Sequence, residues 1–221
     1  YENQAFAIGD VNEAPTDITL SSLTIEENSA AGTLVGDLFA IDPDMGDTHG
    51  FSVVGGTGSN LFEINANNQL VVKSGASIDY ETIANPIVTI RATDSGGLTF
   101  DKAFTVSVAD VNEAPTDITL DSLSVAENSV ATHVANITGT DPDGEVLTYS
   151  IVGGADAAMF EITTSGDMLH LATGVSADYV GGYEADNQLD VQLQATDPEG
   201  LTYQELFTIT VEDDDGHPDD G

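Results

Sequence analysis

Apolar and polar positions alternate along the chain with a period of two, in short stretches that stop and restart. In FTVSVAD (104–110) Phe104, Val106 and Val108 share one side of an extended chain, and in FTITVED (207–213) Phe207, Ile209 and Val211 do the same, leaving Thr and Ser on the other side. Runs such as TLVGDLFAI (33–41), NQLVVKS (68–74) and PIVTIRATD (86–94) are bounded by Gly, Pro, Asn and Asp. No stretch keeps a helical period over three turns. About seven short strands per hundred residues predict an all-β chain, folded as Greek-key sandwiches.

The pattern is written twice. DVNEAPTDITLSSLTIEEN (10–28) returns as DVNEAPTDITLDSLSVAEN (110–128) without a gap. AIDPDMGD pairs with GTDPDGEV, FSVVGG with YSIVGG, LFEI with MFEI, and IRATDSGGLTF with LQATDPEGLTY. The predicted architecture is therefore two tandem seven-stranded Greek-key sandwiches, at 12–112 and 113–215. Residues 1–11 read as the tail of a preceding repeat with its linker, and 216–221 as the remnant of a following linker. The chain is expected to be a piece of a longer array.

Charge then sharpens the picture. Thirty-nine Asp and Glu stand against three basic residues, a formal charge of −36. Such a surface repels phosphates and anionic headgroups, which excludes nucleic acid partners and direct membrane insertion. It also opposes compaction unless a cation offsets it, and a divalent cation is the simplest. There is no cysteine, and no apolar run approaches the roughly 20 residues that span a bilayer.

The acids recur at fixed places. Asp42 and Asp44, Asp141 and Asp143, and Asp79 and Glu81 stand at i and i+2, and in an extended segment two such carboxylates project to one side about 6–7 Å apart. Glu27 and Glu127 follow an apolar strand and precede Asn, while Asp94 and Asp197 end the ATD strands. Calcium takes six to eight oxygens from carboxylates, amides and backbone carbonyls. DPDG is equally a good turn sequence, and a carboxylate pair is also the equipment of a glycosidase. With every acid claimed by a repeat and no cleft signal, the chain is read as not an enzyme. The four histidines lack a paired metal-binding spacing and are expected at the surface.

In order and spacing, these motifs resemble the cadherin repeat: Glu before Asn, the Asp-x-Glu of DYE, Asp-x-Asp, Ala-x-Asp, and a linker of the form Asp-x-Asn-acid-x-Pro. The resemblance covers both units. It implies a seven-stranded sandwich with calcium between successive repeats. Carried over, the central junction would use Glu27, Asp79 and Glu81 from the first repeat and Asp110, Asn112 and Glu113 from the linker, with Val111 and Ala114 offering carbonyls. Asp141, Asp143 and Asp197 would come from the second repeat. Eight of these groups are carboxylates, so three calcium ions would nearly balance them. Asp10, Asn12, Asp42, Asp44 and Asp94, with Glu13, would form half of an earlier junction. Glu127, Glu184, Asp213 and Asp215 would form a weaker one at the far end, where Gly182 and Gly216 replace acids.

The resemblance points to a calcium-binding extracellular segment whose joints are stiffened by calcium, a surface adhesin or spacer whose partners are the neighbouring repeats of its own chain. The alternative is a calcium-dependent polysaccharide-binding module of a secreted carbohydrate-active protein, or a cell-surface ligand-binding one. Tyr80, Tyr179, Tyr183 and Tyr203 are the tyrosines expected at the surface for such a role. Strand-exchange adhesion of the vertebrate type needs a Trp, and the chain has none. The repeated linker, acidic surface and absence of Cys suggest a bacterial, cell-surface or secreted source.

Overall fold

A computed structural model of the protein describes residues 11–177 and 187–213. The chain divides into two compact units between Val111 and Asn112. The first contains β1 (Asp17–Leu20), β2 (Thr24–Glu26), β3 (Leu34–Ile41), β4 (Gly50–Gly55), β5 (Phe62–Ile64), β6 (Gln69–Val72), β7 (Ile87–Thr93), β8 (Thr99–Thr105) and β9 (Ser107–Ala109). One sheet runs β1-β3-β6-β5; the facing layer is made of β4-β7-β8 and the pair β2-β9. Strands β8 and β9 are one path broken at Val106, whose N–H turns to the Pro86 carbonyl at 2.9 Å.

The second unit contains β10 (Asp117–Leu120), β11 (Ser124–Ala126), β12 (His133–Thr140), β13 (Thr148–Gly153), a single 3₁₀ turn at Ala157–Met159, β14 (Phe160–Ile162), β15 (Met168–Leu171), β16 (Gln188–Thr196) and β17 (Thr202–Glu212). Its sheets run β10-β12-β15-β14 and β11-β17-β16-β13. Each unit is thus a sandwich of seven strand paths. The first path is split: its opening half pairs antiparallel in one sheet (β1 with β3, β10 with β12), and its second half crosses to pair parallel with the last strand (β2 with β9, β11 with β17).

Each core is built from the inward half of the alternation. Ile18, Leu38, Phe62, Leu70, Val88, Ile90, Val106 and Val108 fill the first, and Ile118, Ile137, Phe160, Leu169, Leu171, Val191, Leu193 and Ile209 the second. Burial of these side chains is the main driving force for each sandwich. Two repeated motifs have local causes. The last Gly of FSVVGG and YSIVGG, Gly56 and Gly154, has φ of +98° and +103°, and a Cβ there would run into the Ile87 and Asp190 carbonyl oxygens. Asn28 and Asn128 also sit in the left-handed region, at φ of 57° and 58°, and their N–H groups bond the Ile78 and Ala177 carbonyls at 2.8 Å. Asn in the Glu-Asn motif therefore turns the chain.

Candidate metal centres

At the end where the chain enters the first unit, Asp42 follows β3 and Asp94 follows β7, and both ends lie beside the linker that precedes β1. Asn12 Nδ2 donates to Asp94 Oδ2 at 3.0 Å, and the Glu13 N–H donates to Asp44 Oδ2 at 2.7 Å. The second unit repeats the arrangement. Asn112 Nδ2 donates to Asp197 Oδ2 at 2.9 Å, and the Glu113 N–H to Asp143 Oδ2 at 2.8 Å. Each DVNEAP segment is thus fastened to its own sandwich by the same two bonds.

The Asp-Pro-Asp segments are bends rather than the extended pairs expected. The Asp44 N–H donates to Asp42 Oδ1 and the Asp143 N–H to Asp141 Oδ1, both at 2.9 Å. Proline presets φ and the leading Asp caps the amide two residues on, so turn and ligand readings hold for the same residues. The bend frees the leading Asp to meet other acids.

Oxygens of Asp42, Asp47 and Asp94 lie within 4.8 Å of one another, as do those of Asp141, Glu145 and Asp197. Asp47 and Glu145 are not in the ligand set drawn from the sequence. Aligning Gly46 with Gly144, with one residue fewer in the second repeat, places Asp47 on Glu145, so an acid two or three residues past Asp-x-Asp was the available signal. A fourth acid, Glu199, stands against Glu145.

Burial and hydrogen bonding set the electrostatics. Burial pushes the Asp94 and Asp197 carboxyls up, but the Asn12 or Asn112 amide and the backbone N–H groups of the following turn outweigh it and hold both below the usual carboxylate value. Asp42 is lowered chiefly by His49, whose Nε2 lies 2.8 Å from its Oδ2. His49 is only 11 % exposed, so it is not the surface residue expected. Glu145 goes the other way: burial first, then the charge of Glu199, pushes it up to about 7.

At the end where the chain leaves the first unit, oxygens of Glu27, Glu81 and Asp110 lie within 4.8 Å of one another. Glu27 is 4 % exposed; its Oε1 accepts the Val111 N–H at 2.7 Å and its Oε2 the Tyr80 N–H at 3.0 Å. Asp79 is outside that group, and its two oxygens accept the Thr82 N–H at 2.8 Å and hydroxyl at 2.9 Å. In the second unit Glu127 and Asp213 follow the paired strands β11 and β17 as Glu27 and Asp110 follow β2 and β9. Asp10, Glu184 and Asp215 lie outside the described residues, as do Gly182 and Gly216.

The donor set fits a hard divalent cation. Every grouped ligand is an oxygen, and Asp47 Oδ2, Asp141 Oδ2, Asp143 Oδ1 and Glu145 Oε2 are buried without a hydrogen-bond partner. Orphaned buried carboxylate oxygens are costly unless a cation meets them. Among the described residues, Arg91 pairs with Asp101 and Lys102 with Asp17, and neither reaches these groups.

Comparison with known proteins agrees with this geometry. Residues 21–109 match the cadherin domain family. Mouse cadherin-related family member 2 is 28 % identical over 206 residues, covering 88 % of this chain and 16 % of its own length. The cadherin EGF LAG seven-pass G-type receptor fmi-1 of Caenorhabditis elegans is 30 % identical over 217 residues, covering 95 % and 8 %. Human protocadherin-23 is 32 % identical over 166 residues, covering 70 % and 5 %. This chain thus spans a small part of each of these relatives, all of them animal proteins. Among solved structures, human protocadherin-24 EC1-2 superposes with a TM-score of 0.63 at 20 % identity, covering 89 % of this chain and 99 % of that one. The protocadherin γB4 extracellular domain gives 0.61 at 23 % identity, covering 92 % and 33 %. The sandwich topology, the duplicated acidic motifs and the family match over the first repeat together show that this chain belongs to the cadherin family, whose domains are adhesion modules.

Proposed function

We propose that the chain is an extracellular segment in which calcium at the linkers stiffens successive sandwiches into a rod, holding a binding surface of the parent protein away from its anchor. The observation that carries this reading is how the linker is held. Val111 is tied by its N–H to Glu27 of the first unit, and Asn112 and Glu113 are tied to Asp197 and Asp143 of the second, so no unattached residue separates the two attachments. Calcium bound by Glu27, Glu81 and Asp110 where the chain leaves the first unit, and by Asp141, Asp143, Glu145 and Asp197 where it enters the second, would add ionic bonds at each end of the linker. Without the cation, these carboxylates repel one another and the joint loosens.

Of the tyrosines that a polysaccharide module would want at the surface, Tyr80 is exposed, Tyr203 packs half-buried against the second core, and Tyr179 and Tyr183 lie outside the described residues, so no aromatic platform favours that alternative. Small-angle scattering in millimolar calcium and in EDTA tests the proposal. A longer, narrower particle in calcium is expected; identical scattering profiles in the two buffers would refute it.

A further inference from the structure

The outward face of the second unit carries a histidine pair that the calcium reading leaves unused. His133 on β12 is the register partner of His170 on β15, and His170 is in turn the partner of Glu161 on β14. Directly opposed residues of antiparallel strands project to the same face, so the three side chains form one row across three strands. Their neighbours confirm which face it is: Val134, Leu169, Leu171 and Phe160 are buried, while His133 and Glu161 are exposed and His170 is half-buried. A bulge between His133 and Ala135 turns both Val134 and Ala135 inward, leaving His133 and Asn136 together outside.

We propose that His133 and His170 form a site for a borderline transition-metal ion such as zinc, distinct from the carboxylate clusters. The two rings stand edge to face with centroids 5.3 Å apart. Two imidazoles on one tetrahedral ion, with metal–nitrogen bonds of about 2.0–2.1 Å, have centroids about 3.2 Å from the metal and about 5.2 Å from each other. The rings are thus already at the separation a shared ion requires. His133 Nε2 lies 3.3 Å from Asn136 Oδ1, and Asn136 is itself anchored to Asp121, whose Oδ1 accepts its N–H at 2.7 Å. This leaves His133 Nδ1 for the metal while Nε2–H donates outward, the arrangement that orients metal-bound histidines. Water completes the shell.

Ligand chemistry separates this site from the others. Imidazole suits zinc, copper and nickel, whereas the all-oxygen clusters suit calcium. The first unit shows that the fold does not require the pair: the same register positions hold Leu34 and Val71, with Glu63 as the third member. The histidines are thus a feature of one repeat only, on an acidic chain that concentrates divalent cations around it.

The test is titration of zinc into the calcium-saturated protein, so that the carboxylate clusters are occupied. One zinc per chain is expected, with affinity at least tenfold weaker in His170→Val and lost in the His133→Leu, His170→Val double variant, which restores the first repeat's residues. Independently, substoichiometric nickel added to the wild-type protein should broaden the imidazole proton signals of His133 and His170 together, before that of His49. Zinc binding unchanged in the double variant, no zinc uptake by the wild type, or nickel broadening that begins at His49 would overturn the proposal. The nickel experiment decides the matter even where the double variant does not fold.

Discussion

Glu27 bonds the backbone at two places far apart in sequence, and its removal has a calculable cost. Glu27→Ala deletes the acceptors of the Val111 and Tyr80 N–H groups. Hydrogen bonds to a charged group contribute roughly 1.5–3 kcal/mol each, so two give about 3–6 kcal/mol. Val111 is 41 % exposed, so water can satisfy its freed amide and the lower end of that range applies. In metal-free protein the change also removes a charge within 4.8 Å of Glu81 and Asp110; both are exposed and screened by water, so relief of the repulsion returns about 1 kcal/mol for each. The net loss is about 1 kcal/mol, and for a unit of this size that lowers its melting transition by about 4–8 °C. Scanning calorimetry in EDTA reads the shift, and hydrogen exchange at the Tyr80 and Val111 amides locates it. Calcium should widen the gap between variant and wild type, because the variant also lacks a ligand. A fall of less than about 4 °C with unchanged exchange at both amides would refute the reasoning.

The pH dependence of the metal-free protein follows from Glu145. Its folded carboxyl keeps its proton up to about 7 whereas the unfolded one releases it near 4.5, so the folded state binds more protons between these values and stability falls as pH rises through that window. Thermal melts in EDTA should show this decline in the second unit, and Glu145→Gln should flatten it. Calcium favours the ionised form, so titration near neutral pH should release a proton from Glu145, seen as a binding enthalpy that varies with the ionisation enthalpy of the buffer. Asp94 and Asp197, held below the ordinary carboxylate value, act oppositely: their contribution is present above about pH 4 and is lost in acid. Gly56→Ala and Gly154→Ala each force a Cβ into a carbonyl oxygen at a left-handed φ and should cost at least about 1–3 kcal/mol, measured by urea denaturation.

The sandwich was legible because its two cores repeat one alternation: Phe104, Val106 and Val108 face inward as the pattern requires, and so do Ile209 and Val211. The split first strand was not, since β1 and β2 are separated by only three residues and alternation carries no record of which sheet a segment joins. The acidic motifs marked where carboxylates gather, but not which acids meet within each cluster. Spacing pairs Asp79 with Glu81, while the turn that gives each Asp79 oxygen a donor on Thr82 leaves no mark in that spacing. Asp47 and Glu145 escaped because a one-residue gap shifts the second repeat against the first. His49 looked superficial, but the loop joining β3 to β4 turns its ring onto Asp42, seven residues earlier. The His133–His170 pair is 37 residues apart in sequence and becomes visible only through strand register.

The central claim is that the carboxylate clusters are calcium sites belonging to the folded state. Calorimetry of the wild-type chain in millimolar calcium and in EDTA, with magnesium at the same concentration as control, tests it most directly. Each site with a dissociation constant of about 10⁻⁴ M adds about 1.4 kcal/mol at tenfold excess, so calcium should raise the melting transition by about 6–11 °C per site in a unit, and magnesium by much less. Transitions at the same temperature in calcium and in EDTA would contradict the account.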